Sequence, residues 1–286
     1  MIKRKYIQSL IDWSRSDRRT VAVVTGPRCV GKTTLVRELG ESYGCFIELN
    51  MKHCYESRKI LSDCTDSAEL SKRLARLSEN YTVVPGDTLL LIDEIEFCKG
   101  GIPSLKDLSD RECIDIVVIV SCISSGLSEF GKNPKEWEER IDIRPLDFNE
   151  FLDAMDADTE IVESVMDSVI DGGKVRRCDC EDMDDMFRLY MVTGGMPAPV
   201  HSISRNRMIA DALCISKSIL RNQMEDAFVF NRRISDIINH CVMSLPEQLA
   251  GNGRFTYSKV EGRVSLNRRY YSDCIEWLIG SGYSIL

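Results

Sequence analysis

Val21-Ala22-Val23-Val24-Thr25 runs directly into Gly26-Pro27-Arg28-Cys29-Val30-Gly31-Lys32-Thr33-Thr34, and then into Leu35-Val36-Arg37-Glu38-Leu39-Gly40. The first run is short, apolar and rich in β-branched residues, as expected of a strand buried on both faces. Gly26 to Gly31 breaks it. Lys32–Leu39 then reads as a helix, with Gly40 as its terminator. The middle string matches G-x-x-x-x-G-K-[ST]. Its glycines let the backbone pass close to a phosphate and turn N–H groups inward, and the following helix offers its positive end to the same anion. The pattern assigns Gly26, Pro27, Arg28, Cys29, Val30, Gly31, Lys32, Thr33 and Thr34 to nucleotide binding. Lys32 would reach the β- and γ-phosphates, and the Thr33 hydroxyl would ligate Mg²⁺.

Outward from this loop, Cys45–Leu49, Thr88–Ile92 and Ile114–Val120 read as further strands. Residues 3–14 and 67–78 read as amphipathic helices, the second with Leu70, Leu74 and Leu77 on one face. Apolar strands alternating with helices predict an α/β fold with a parallel sheet covered on both faces. From Phe148 onward the strand signal fades, and helical periodicity dominates to about residue 250, interrupted at Thr193-Gly194-Gly195-Met196-Pro197.

Leu89-Leu90-Leu91-Ile92 ends in Asp93-Glu94. Downstream of a phosphate loop, Asp93 would support the metal and Glu94 would orient or deprotonate an attacking water. Lys32 and Glu94 are thus the candidate catalytic residues, and Thr33 and Asp93 the metal residues. The adjacent Glu favours hydrolysis over transfer to another acceptor. No Asn-Lys-x-Asp element for reading guanine is evident, so ATP is the expected nucleotide. Ser121, with Ser124 in reserve, could sense the γ-phosphate at the end of the fourth strand, or these hydroxyls could simply cap a loop. Arg28, Lys135, Arg140 and Arg144 are candidate charge neutralisers.

The bulk numbers agree with a soluble globular chain: 286 residues, 43% hydrophobic and 29% charged. No apolar run is long enough to span a bilayer, and the basic N-terminus lacks the apolar stretch of a secretory signal, which predicts a cytoplasmic protein. The twelve cysteines are scattered without a Cys-x-x-Cys; the closest pair, Cys178 and Cys180, is a weak metal signal. The net charge of −8 argues against a chain coated for nucleic acid. The charge is uneven, acidic from Asp153 to Asp185 and mildly basic at Arg254, Lys259, Arg263, Arg268 and Arg269. That tail reads either as a small DNA-contacting patch or as a solvated face.

The strings GPRCVGKTT, LLLIDEIE, IRPLDFNEFL (143–152) and TGGMPAPV (193–200) together resemble the archaeal and bacterial AAA+-like ATPases of the STAND-related clade. The resemblance implies a P-loop ATPase domain, a helical segment and a C-terminal winged helix, with Leu245–Leu249, Phe255–Ser258 and Tyr270–Leu278 similar to the winged-helix segment. Tyr271, Cys274, Ile275 and Leu278 share the spacing of one helix face, which also suits any small helical packing unit. The chain departs from the family in two ways. Trp137 stands where the family carries a basic residue eight positions before Pro145, with Lys135 or Arg140 as substitutes. The wing would start at Gly282-Tyr283-Ser284-Ile285-Leu286, where the sequence ends, so the winged helix is expected to be partial and the family's nuclease-like domain is not included.

The expected organisation is an ATPase domain at 1–155, a helical lid at 156–228 and a winged-helix-like region at 229–286. The expected function is MgATP hydrolysis that drives a conformational switch. The alternative is a slow-turnover, nucleotide-gated module that binds DNA or protein, with a protein partner or a second copy of the chain also in view. A decayed copy without activity is a third reading, disfavoured by the intact loop and Asp-Glu pair.

Overall fold

The computed structural model describes residues 2–16, 20–62, 64, 66–76, 83–98, 103–121, 138–171, 176–230, 235–252, 255, 256, 260, 271, 274, 278 and 279. Leu77, Ser124, Lys135, Trp137, the basic residues Arg254, Lys259, Arg263, Arg268 and Arg269, residues 257–258, Ile275 and residues 282–286 lie outside the described residues.

The five strands β1 (Val21–Thr25), β2 (Cys45–Asn50), β3 (Thr88–Asp93), β4 (Asp115–Val120) and β5 (Glu138–Asp142) form one parallel sheet in the order β2-β3-β4-β1-β5. Strands β1 and β3 are buried at every position. Alternate residues feed two cores on opposite faces. Val21, Val23, Leu90, Ile92, Ile116 and Val118 pack into one core with Leu61, Leu70, Leu74 and Leu108. These partners come from helices α3 (Tyr55–Ser62), α4 (Ser67–Arg76) and α5 (Pro103–Glu112). Ala22, Val24, Leu89, Leu91, Val117 and Ile119 pack into the other core, against Leu10 and Trp13 of α1 (Tyr6–Ser14) and Leu35, Val36 and Leu39 of α2 (Lys32–Gly40). Burial on both faces is why these strands read as unbroken apolar runs.

Sequence reasoning missed β5. Glu138-Glu139-Arg140-Ile141-Asp142 has one apolar residue, and it is an edge strand held by parallel pairing to all of β1. Gly40 also differs from expectation. It lies inside the last turn of α2, and Glu41 follows in right-handed conformation, so Gly40 is no left-handed terminator. A Cβ on Gly40 would stand 2.7 Å from the Phe46 ring, so glycine is there to admit that side chain.

The helical half comprises α6 (Phe148–Ala154), α7 (Thr159–Ile170), α8 (Arg177–Thr193), α9 (Pro197–Asn206), α10 (Ile209–Phe230) and α11 (Ser235–Asn252). The chain divides into two compact units, one of residues up to Lys5 with Pro145–Asn222, the other of Tyr6–Arg144 with Gln223–Leu286. In the first, residues from the third and fourth strings of the family resemblance meet. Leu146 donates its N–H to the Gly195 carbonyl at 2.7 Å, and a Cβ on Gly195 would lie 2.3 Å from the Leu146 oxygen. Asp147 caps α6 in a reciprocal box with Glu150, whose Oε1 also accepts from Arg4 Nε and the Lys5 N–H, each at 3.0 Å. Phe148, Phe151, Phe187 and Tyr190 pack ring to ring beside it. These strings therefore build structure.

In the second unit, Tyr271, Cys274 and Leu278 are buried together with Ile238, Cys241 and Val260, consistent with a shared apolar face. Cys178 and Cys180 are both exposed. Among the described residues no helix is long and apolar enough to cross a membrane.

Candidate nucleotide site

The loop after β1 needs left-handed backbone at three places: Gly26 (φ 141°), Cys29 (φ 64°) and Gly31 (φ 96°). Glycine meets the first and last without strain; Cys29 meets the second at a cost of about 1 kcal/mol. Val30 is fully buried in the core beneath the loop, Pro27 is buried, and Cys29 and Thr34 face outward. This tethering of Val30 sets the loop's curvature while the exposed positions stay free of the core.

Lys32 opens α2 yet is only 5% exposed. Its ammonium donates to the carbonyls of Gly26 at 2.9 Å and Pro27 at 2.8 Å. Burial pulls its pKa down to about 8, against the opposing pull of Glu96, Glu94 and Asp93. The Thr33 hydroxyl donates to Asp93 Oδ2 at 2.9 Å. Burial raises the Asp93 pKa, and the Thr33 hydrogen bond partly offsets this. Two hard oxygen donors side by side, one of them a desolvated carboxylate, suit a small divalent cation.

Glu94 follows in left-handed conformation (φ 55°, ψ 46°) and starts a 3₁₀ turn at Ile95–Phe97. Such backbone in a non-glycine residue is strained and gathers at functional sites. Arg28 Nη2 donates to both Glu94 oxygens, at 2.9 and 2.8 Å, in a mostly buried ion pair. Arg28, one of the four expected charge neutralisers, thus sits on the candidate base. Arg140 lies within β5 opposite Val23, and Arg144 is exposed and paired with Asp142 at 3.6 Å. Ser121 sits just past β4, and its backbone N–H donates to Glu96 Oε1 at 3.1 Å.

Two neighbours of the loop escaped sequence reasoning. Gln223, buried on α10, donates from Nε2 to the Arg28 carbonyl at 3.2 Å; a contact across so much chain leaves no local pattern. Glu96 was legible as a third acid in Asp93-Glu94-Ile95-Glu96. Burial drives its carboxyl up to about 7, with Glu94 adding to the rise and Lys32 opposing it. A raised carboxyl stabilises the fold most below the unfolded value, and that contribution is lost as pH rises through about 7. Glu96→Gln removes the loss. Relative to the wild type it should gain about 2 kcal/mol of stability at pH 8.5, after allowance for partial exposure, and nothing at pH 4. Urea melts of both proteins at the two pH values measure this; a gain that is equal at both would refute the assignment.

A parallel sheet of this order, a glycine-bounded loop between β1 and α2, and paired acids at the end of β3 define an α/β fold of the P-loop type. Residues 18–152 match the family model of the AAA domain (AAA_14). Residues 184–283 match a domain of unknown function (DUF8612). The Walker-type ATPase PABY2304 of Pyrococcus abyssi shares the fold at a TM-score of 0.58 and 13% identity, covering 100% of this chain and 91% of its own. A looser likeness, to PCH-2 of C. elegans (14% identity, TM-score 0.37, 77% of this chain and 66% of that one), carries no weight. No curated protein matches the chain.

Proposed function

We propose that the chain hydrolyses MgATP at the Gly26–Thr34 loop and uses the cycle as a conformational switch. The observation that carries this reading is the convergence of Lys32, the Thr33–Asp93 pair and the Arg28–Glu94 pair on one loop at the C-terminal edge of the sheet. The loop N–H groups and Lys32 bind the phosphates. Thr33 and Asp93 are the residues that would hold Mg²⁺, which, when bound, supplies charge neutralisation across the β- and γ-phosphates. Glu94 takes the proton of the attacking water as the water oxygen bonds to the γ-phosphorus and the bond to the ADP oxygen breaks. For that, Arg28 must release at least one carboxylate oxygen, and the released guanidinium can turn to the phosphate charge. Ser121 is the proposed γ-phosphate sensor. The same proposal treats 156–228 as a lid and 229–286 as a winged-helix-like region.

Glu94→Gln is expected to lower phosphate release by on the order of a hundredfold while ATP still binds. Equal rates in wild type and variant would sink the hydrolysis claim. One observation favours the slower alternative, a nucleotide-gated module for DNA or protein: Arg28 occupies both oxygens of Glu94. In that case Glu94→Gln leaves steady turnover unchanged but alters retention on duplex DNA, read by its salt dependence.

A further inference from the structure

Strands β3 and β4 pair in parallel register, Ile92 opposite Val118, so both chains leave the sheet at the same edge. Strand β4 runs on to Val120, whereas the chain after β3 turns at once through the left-handed Glu94. Ser121 is the first residue past the end of β4. There the turn after β3 brings Glu96, whose Oε1 takes the Ser121 N–H at 3.1 Å across 25 positions of sequence. One acceptor is enough to cap a strand end, and an amide side chain would supply it. This chain instead uses a carboxyl two positions after Glu94, and among the described residues its second oxygen, Oε2, is buried without a hydrogen-bond partner. A buried carboxyl oxygen that the cap does not use calls for a role beyond capping.

Resting on the hydrolysis reading above, we propose that Glu96 is a positioning residue, which fixes through the Ser121 backbone the point where the chain leaves β4 and hence where the Ser121 hydroxyl meets the terminal phosphate. Glu96 ties the turn that presents Glu94 to the segment that reads the γ-phosphate. A shift at either end is carried to the other through one short hydrogen-bonded side chain.

Steady-state hydrolysis and ATP and ADP affinities of the wild type, Glu96→Ala, Glu96→Asp, Glu96→Gln, Ser121→Ala and the Glu96→Ala/Ser121→Ala double variant test this. Glu96→Ala should lower kcat about thirtyfold with the ATP affinity within threefold of wild type. Glu96→Asp, one methylene shorter, should fall as far, and it keeps the test alive if the alanine variant does not fold. Glu96→Gln still accepts the Ser121 N–H and should stay within about threefold of wild type. Because Glu96 acts through Ser121, the double variant should be no slower than the slower of the two single variants. Overturning results are wild-type kcat in Glu96→Ala and Glu96→Asp, additive losses in the double variant, or equal losses of affinity and kcat. If the wild type binds MgATP without turnover, the hydrolysis reading fails by itself. Glu96 is then read from nucleotide preference: Glu96→Ala should abolish the preference for ATP over ADP and Glu96→Gln should keep it. An unchanged preference in both variants overturns the inference, and a wild type that binds neither nucleotide overturns both.

Discussion

Lys32→Ala should weaken MgATP binding about a thousandfold, roughly 4 kcal/mol, and leave the fold intact. Lys32 is 5% exposed and its ammonium is held by the Gly26 and Pro27 carbonyls, so the loop keeps a positive charge out of water at a fixed place. A phosphate that meets such a preset charge gains far more than it would from a mobile surface lysine, because the field is unscreened and little side-chain ordering remains to be done. The cost of this arrangement falls on the folded protein: burial lowers the Lys32 pKa to about 8, which marks a charge the fold would rather not bury. Removing it should therefore not lower the unfolding temperature, even though binding collapses. Calorimetric titration with MgATP, paired with thermal unfolding of the ligand-free proteins, separates the two effects. Binding within tenfold of wild type would mean that the phosphates sit elsewhere.

Gly26→Ala should cost at least about 3 kcal/mol of stability and abolish nucleotide binding. Gly26 has φ 141°, and a Cβ there would stand 2.1 Å from the Ile143 carbonyl oxygen. Neither side yields easily. Ile143 is locked by its own N–H to the Thr25 carbonyl at 2.8 Å, and Thr25 Oγ1 donates to Asp142 at 3.0 Å just before it. The methyl must push β5 off β1 or move the phosphate loop. Gly86 is the internal control. It too has positive φ (78°), but a Cβ there meets nothing within 4 Å, so Gly86→Ala carries the backbone strain alone, about 1 kcal/mol. Denaturant unfolding of both variants isolates the clash as the difference; equal losses would remove the argument from close approach.

The contrast between these glycines shows where sequence reasoning stops. Gly26 was legible as a phosphate-loop glycine from G-x-x-x-x-G-K-T, since the motif encodes local backbone needs. That its missing Cβ also makes room for Ile143, more than a hundred residues on, follows from β5 pairing with β1. Strand β5 was itself illegible: Glu138-Glu139-Arg140-Ile141-Asp142 carries no two-faced apolar pattern, because an edge strand needs only a backbone partner on one side. Gly40 was misread for the same reason, as the ring of Phe46 that requires it lies on another element.

Local chemistry determined the strand–loop–helix unit and the two-faced sheet, and singled out Lys32, Thr33, Asp93 and Glu94 as the proposed phosphate and metal set. Each depends on neighbours a few residues away, through hydrophobic periodicity, backbone freedom and charge. Tertiary structure alone decided which charges meet. It put Arg28 on Glu94, Glu96 on the Ser121 N–H and Gln223 on the Arg28 carbonyl. The sequence offered four basic residues for one role without ranking them. Coulomb energy and hydrogen bonding act over a few ångströms, and the paired ends of β1, β3 and β4, with Gln223 of α10, bring these distant positions within that range.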